Sequence, residues 1–255
     1  MARTEIVCPN CVLGRIYLDD GRSAICPTCK GKRVVRTLDR PVTELNVLQE
    51  LDRVGAVLLD RHFVYNSNRH GSGYINMDPL FPNTGLVASI CAQLVRPFEG
   101  DFDTVVSPAT GGVVLAFASA SQTPGKKPAA VWADKSGDDF RFERAGFVAH
   151  LRGKRVLVVE DLLTTGGSVI KVCREAEQHG AEIIGVSVIC NRGGIAAEQL
   201  GVSRLVALAS VNFAAAVPFE CDLCATGVPI VEDIGHGMKY KAEHPDYTGG
   251  FIKLL

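Results

Sequence analysis

The segment VLVVEDLLTTGGS, Val156–Ser168, constrains the fold of this chain more than any other. An apolar run of strand character ends in two adjacent carboxylates, Glu160 and Asp161, then hydroxyls and glycines, then a helical period. In an open parallel sheet, ligands bind beyond the carboxyl ends of the strands, which is where this turn falls. Gly166 and Gly167 let the backbone curl so that several N–H groups converge on one anion. The helix that follows adds the positive end of its dipole. Thr164, Thr165 and Ser168 supply hydroxyl donors to the same phosphate. Two carboxylates would repel a phosphate, but they suit the hydroxyls of a sugar that carries one. A strand ending in an acidic surface turn would not call for TTGGS directly after it. A lone glycine-rich loop says little; this thirteen-residue arrangement is specific.

The surrounding chain alternates helix and strand periods, as an α/β protein does. Thr43 reads as the cap of a helix carrying Leu45, Leu48, Leu51 and Val54. A second helix is expected over Gly85–Val95, and a third over Val113–Ala120. Strands are expected at Thr104–Val106, Ala129–Trp132, Arg155–Val159, Ile183–Ile189 and Leu205–Leu208, with a helix from the glycine turn to Gly180. Asp134–Arg144 is polar and reads as a mobile loop. The predicted fold is therefore α/β, an open, mainly parallel sheet with helices on both faces.

Residues 1–40 have a different character. They hold two C-P-x-C turns, Cys8/Cys11 and Cys26/Cys29, separated by fourteen residues, and no amphipathic period long enough to build a core. Two such turns complete a closed tetrahedral Cys₄ site, so the pattern predicts a structural Zn²⁺ ribbon. A segment of this size without a core needs such a staple. Pro41 marks the expected boundary, giving a zinc-ribbon-like module at 1–40 and a main domain at 41–255. Arg3, Arg15, Arg22, Lys30, Lys32, Arg33 and Arg36 make the ribbon basic, which reads as a solvated face before it reads as a nucleic-acid surface. Of the nine cysteines, Cys91, Cys173 and Cys190 stand alone in apolar runs and read as buried core thiols. Cys221 and Cys224 read as a local turn with free thiols. The alternative is a second metal completed from elsewhere, with His236 as a candidate.

A net charge of −1 gives no general pull toward nucleic acid or membrane. No apolar run approaches the length of a bilayer span. The N-terminus carries no long apolar run of the secretory kind, and with its unpaired thiols the chain is expected in the cytoplasm.

The Val156–Ser168 segment resembles the phosphoribosyl-pyrophosphate (PRPP) motif of type I phosphoribosyltransferases, and its EDLLTTGGS form is most similar to the orotate phosphoribosyltransferases. The similarity extends over roughly residues 45–240. HFVYNSNRHGSGYINMDPL (His62–Leu80) resembles the family's segment near the base pocket, and SPATGG its pyrophosphate loop. CNRGG resembles the family's strand-to-loop arginine, and CDLCATGVP a run near the C-terminus of one orotate-type branch. The resemblance implies transfer of a phosphoribosyl group from PRPP to orotate, with Mg²⁺ on pyrophosphate and ribose hydroxyls. It implies PRPP binding by Glu160, Asp161, Leu162, Leu163, Thr164, Thr165, Gly166, Gly167 and Ser168. Pyrophosphate would lie on Ala109, Thr110 and Gly111, and the base on Thr164 and Arg192, although Arg192 could instead pair with Glu198. Lys135 and Arg144, in the family's closing loop, would be catalytic together with Asp161. In the resembling enzymes that loop closes across a dimer, so a homodimer is expected. Asn68 stands where the family usually has Gly, and Met77 where this branch often has Lys. Other readings keep the reaction with another base, or make the chain an interaction protein of the DNA-uptake type, which also carries a zinc ribbon.

Overall fold

A computed structural model describes residues 45–98 and 100–254, together with four short strands nearer the N-terminus. The chain divides into two compact units, Met1–Leu45 and Asn46–Leu255. In the first unit Glu5–Val7 pairs antiparallel with Val34–Arg36, and Arg15–Tyr17 with Ser23–Ile25. Cys8, Cys11, Cys26 and Cys29 lie outside the described residues.

The second unit is built on a six-stranded sheet. In chain order its strands are β1 (Thr104–Pro108), β2 (Ala129–Ser136), β3 (Asp139–Arg141), β4 (Arg155–Leu163), β5 (Glu182–Asn191) and β6 (Leu205–Ser210). They are ordered β3-β2-β1-β4-β5-β6 across the sheet. Every pairing is parallel except that of β3 with β2. Continuous apolar runs such as Val156–Val159 are what a sheet covered on both faces requires. Val105, Val106 and all four of Val156, Leu157, Val158 and Val159 are 0% exposed, so both faces are indeed covered.

The sheet is flanked by α1 (Val47–Arg53), α2 (Thr84–Val95), α3 (Gly112–Ser121) and α4 (Gly167–Gln178). Val169, Val172, Cys173 and Ala176 of α4 form one core cluster with Val106, Val158, Val186 and Val188. α2 and α3 pack on each other and on the sheet. Asn46 caps α1, its side-chain oxygen accepting from the Gln49 amide at 3.2 Å, and Thr43 lies outside the described residues. Cys91, Cys173 and Cys190 are buried, and burial pushes their thiols up to about 11, 12 and 11.

Two strands run further than their apolar residues suggest. β4 continues through the acidic pair to Leu163, because β5 offers partners for Glu160, Leu162 and Leu163. β2 continues to Ser136 and folds back as β3, so the polar stretch after Trp132 is largely a hairpin. Phe140 and Phe142 face inward to the core on either side of Arg141. Arg141 donates to the buried carboxylate of Glu175 on α4 at 2.5 Å, and Lys171 donates to the Asp138 carbonyl.

A satellite forms around residues 57–75. Val57–Leu58 pairs with Tyr74–Ile75, and Phe63–Val64 with His70–Gly71, both antiparallel. The C-terminal strands Ile230–Val231 and Phe251–Ile252 pair in parallel beside them. Isolated bridges join His62 to Ile230 and His70 to Ala216, and Phe63, Tyr65, Val231 and Ile234 make the local core. His62 and His70 are fully buried within it. Burial, joined at His70 by the charges of His62 and His244, lowers both imidazoles, His70 to about 4.

Among the described residues, the Arg141–Glu175 pair is the shorter of two charged ties between the β2–β3 hairpin and α4, the other joining Lys171 to Asp139 at 3.9 Å. Because Arg141 is half-exposed, Arg141→Ala is expected to lower stability by only about 1 kcal/mol. Amide exchange should nevertheless accelerate at residues 138–142 while the centre of β4 stays protected, which hydrogen-exchange mass spectrometry would resolve.

Candidate active site

The parallel strands β1, β4 and β5 end on one edge of the sheet, and a cavity of ≈ 560 Å³ opens there. Glu160 and Asp161 line it from within β4 rather than from a turn beyond it. The Asp161 amide donates to Glu160 Oε1 at 3.2 Å, and the Leu162 amide donates to Asp161 Oδ1 at 2.6 Å. Burial, and after it the neighbouring Asp161 charge, hold the Glu160 carboxyl well above the usual carboxylate range.

Beyond Leu163 the chain turns through Thr164, Thr165 and Gly166 into α4. Gly166 adopts φ +79°, a left-handed conformation that a Cβ would strain, and no side chain caps the helix. The first amides of α4 are therefore free of a protein cap, and Gly167, Ser168 and Val169 face the cavity. Thr110 and Gly111, after β1, approach from the other side, and the Ala109–Thr110 peptide is cis. A Cβ on Gly111 would lie 3.1 Å from Asp161 Oδ2, so this loop packs directly on the acidic pair.

Arg192 follows β5, and its amide donates to the Leu163 carbonyl at 2.8 Å. Its guanidinium lies 3.8 Å from the centroid of the Tyr65 ring, with Tyr74 at 5.7 Å and Phe213 at 6.0 Å. An arginine held on aromatic faces is a rigid cation whose remaining N–H groups stay available to a planar anion. The Tyr65 hydroxyl donates to the Gly73 carbonyl at 2.6 Å, which fixes that ring in turn.

One cavity thus brings together Glu160 through Ser168, Ala109, Thr110, Gly111 and Arg192. Lys135 and Arg144 are not among its lining residues. Lys135 is exposed on β2, and Arg144 makes two bonds to Asp134, at 3.0 and 3.2 Å, above the Trp132 ring. Asn68 and Met77 also stand outside the lining. Asn68 holds φ +57° in the turn after Tyr65, a conformation asparagine tolerates better than most residues, and Met77 is buried. Among the lining residues that the sequence does not single out are Tyr65, Asn66, Ser67, Tyr74, Asn212 and Phe213. The first four fall inside the His62–Leu80 segment, but nothing in their spacing separates them from ordinary core and turn residues.

An uncapped helix start, a glycine turn and paired carboxylates at the strand ends define an α/β protein of the class that binds phosphorylated ligands there. A family model described as phosphoribosyl transferase domain matches residues 83–222, more than half of the chain. The chain belongs to the phosphoribosyltransferase family. It is 33% identical over 192 residues to the orotate phosphoribosyltransferase of Thermotoga maritima, covering 74% of this chain and 97% of that one. It is 36% identical over 191 residues to that of Thermus thermophilus, covering 74% of this chain and all of the relative. The crystal structure of orotate phosphoribosyltransferase from Aeropyrum pernix superposes with a TM-score of 0.51 at 26% identity, over 64% of this chain and 93% of that one. Among the described residues no helix is long and apolar enough to cross a membrane.

The raised Glu160 carboxyl has a consequence for stability. A carboxyl that binds its proton more tightly when folded than when unfolded loses stability as pH rises from the unfolded value of 4.5 toward the folded one. Glu160→Gln should remove that loss. The ligand-free variant is expected to match the parent near pH 4 and to exceed it increasingly toward neutrality. Urea midpoints measured across that range would check it, and a difference that does not grow with pH would contradict it.

Proposed function

We propose that this chain transfers the 5-phosphoribosyl group of PRPP to orotate, giving orotidine 5′-phosphate and pyrophosphate in pyrimidine nucleotide biosynthesis. The observation that carries this reading is the convergence, in one cavity, of the uncapped glycine turn, the Glu160–Asp161 pair and an Arg192 stacked on Tyr65. Orotate differs from the common nucleobases in bearing a carboxylate, and a guanidinium presents two parallel donors to one. The relatives of Thermotoga maritima and Thermus thermophilus, both orotate phosphoribosyltransferases matched over nearly their whole length, support the same acceptor.

In this reading Thr164, Thr165, Gly166, Gly167 and Ser168 hold the 5′-phosphate, and Leu162 and Leu163 shape the cradle. Glu160 and Asp161 accept from the ribose hydroxyls and orient C1 toward the base. Asp161 also acts at the reacting sugar, as cationic character develops there. Ala109, Thr110 and Gly111 take the pyrophosphate, and Thr164 with Arg192 positions the base. Two adjacent carboxylates beside hydroxyl and amide groups fit a hard, oxygen-liganded cation shared with the substrate. Mg²⁺ bound with PRPP would neutralise the departing pyrophosphate. Lys135 and Arg144 lie away from the cavity lining of their own chain, and we assign them to the active site of a neighbouring copy. Val114 and Phe117 leave an exposed apolar face on α3, 47% and 68% accessible, which supports a homodimer. A cytoplasmic location, a structural Zn²⁺ on Cys8, Cys11, Cys26 and Cys29, and a main domain from residue 41 complete the proposal. With a net charge of −1, nucleic acid is not a favoured partner.

Two measurements test it. PRPP with Mg²⁺ should raise the melting temperature in proportion to saturation, and Asp161→Asn should diminish that shift. No shift in the parent protein would remove the transferase reading. Separately, Arg192→Ala should raise the KM for orotate by about tenfold or more, the loss of a charge-assisted contact being about 1.5–3 kcal/mol, with the KM for PRPP little changed. Faster turnover of uracil than of orotate by the parent enzyme would overturn the acceptor assignment.

A further inference from the structure

Cys221 and Cys224 sit on a local helical turn, Asp222–Ala225, and neither is in a disulfide, but the turn is not isolated. Both thiols face His62, a buried histidine far away in the sequence, and Cys224 also reaches the buried His70. Cys224 Sγ lies 3.2 Å from His70 Nδ1 and 3.7 Å from His62 Nε2, Cys221 Sγ lies 3.7 Å from His62 Nε2, and the two imidazole nitrogens are 2.9 Å apart. All four atoms fall within 4.8 Å of one another. His236, the candidate named for the metal alternative, is not part of this group.

We propose that His62, His70, Cys221 and Cys224 form a closed tetrahedral site for one structural zinc ion, which fastens the hairpin carrying Tyr65 to the C-terminal segment.

The spacing fits the metal. With Zn–N near 2.0–2.1 Å and Zn–S near 2.3 Å, tetrahedral edges are about 3.3 Å between nitrogens, about 3.6 Å between nitrogen and sulfur, and about 3.8 Å between sulfurs. The four separations given above lie within about 0.4 Å of those edges, and the remaining two are at most 4.8 Å, so an ion enters with side-chain shifts of about an ångström or less. The tautomer fits as well. His62 Nδ1 lies 2.8 Å from the Val228 carbonyl, which can only accept, so that nitrogen carries the proton and Nε2 presents a lone pair to the cluster. An imidazole ligand oriented by a backbone carbonyl is the usual support around zinc. The Tyr247 hydroxyl donates to the same carbonyl at 2.8 Å, and the Tyr240 ring packs edge-to-face on His70 with centroids 4.8 Å apart. Burial completes the fit, since His62, His70 and Cys221 are no more than 5% exposed. Four protein ligands leave no open position, so the role is structural rather than catalytic. Two thiols release their protons to become thiolates, and their charge balances that of Zn²⁺ inside the buried site.

The position gives the ion its work. Cys224 and His70 are 154 residues apart, and a clip across so long a loop removes much of the unfolded chain's freedom. Between His62 and His70 runs the turn that carries Tyr65, Asn66 and Ser67 to the cavity, and Ala215 lines the same cavity beside the Ala216–His70 bridge. The ion would fix the aromatic wall on which Arg192 lies.

The site can be separated from any zinc held by the N-terminal cysteines. In the full chain carrying C8S, C11S, C26S and C29S, elemental analysis should still find one zinc per chain. Zinc-edge X-ray absorption should show two sulfur and two nitrogen ligands with imidazole scattering, and adding C221S and C224S should abolish it. Metal-free protein, or a shell of sulfur alone, would overturn the proposal. If the fourfold variant does not fold, the same spectrum is taken on the unaltered chain. Imidazole scattering is expected there too, and its absence overturns the site. Stripping the metal with a chelator should accelerate amide exchange at residues 62–71 and 221–230 while leaving β4 unchanged, and equal exchange in both states would count against the fastening role.

Discussion

The arrangement of the cavity depends on one backbone oxygen. The Leu163 carbonyl, at the end of β4, accepts from the amides of both Arg192, at 2.8 Å, and Gly193, at 3.1 Å, just past the end of β5. This pair of bonds sets the glycine turn and the arginine side by side, although each belongs to a different strand. It also explains why residue 193 has no side chain. A Cβ there would fall 1.6 Å from the Thr164 carbonyl oxygen, closer than any rotamer change could relieve. Gly193 is thus the point at which two strand ends approach too closely for anything larger.

How much of this was legible in the sequence follows from what each residue's neighbours contribute. The centres of β1, β4 and β5 were plain, because strands buried on both faces must be apolar throughout. Their ends were not. Glu160, Leu162 and Leu163 extend β4 only because β5 supplies partners for them, a fact that resides in another segment. The β2–β3 hairpin was hidden likewise, since its inward-facing residues, Phe140 and Phe142, sit among Asp, Arg and Glu. α1 begins at Asn46's cap, in a stretch with more than one good capping residue, a choice that local propensity does not decide.

For the site, the contiguous parts were visible and the assembled parts were not. Residues 160–168 and 109–111 carry their chemistry in a single run, so spacing identifies them. Tyr65, Tyr74 and Phe213 become functional candidates only when the fold stacks them around Arg192. His62 and His70 are mute for the same reason. A histidine in an apolar stretch is ordinarily a satisfied core residue, and only the approach of Cys221 and Cys224 gives this pair another meaning.

Placing the acidic pair inside a strand has a further consequence. A carboxylate on a flexible loop must be gathered and held when a ligand arrives, and that ordering subtracts from affinity. The backbone is fixed on either side of Asp161 by the pairing of Glu160 and Leu162 with β5, and the two acidic side chains are held by the Asp161 and Leu162 amides. Their mutual repulsion is therefore overcome once, when the chain folds, and a sugar entering the cavity meets acceptors already in position. The sheet acts here as a store of preorganisation, trading some stability of the empty protein for a smaller entropic loss on binding.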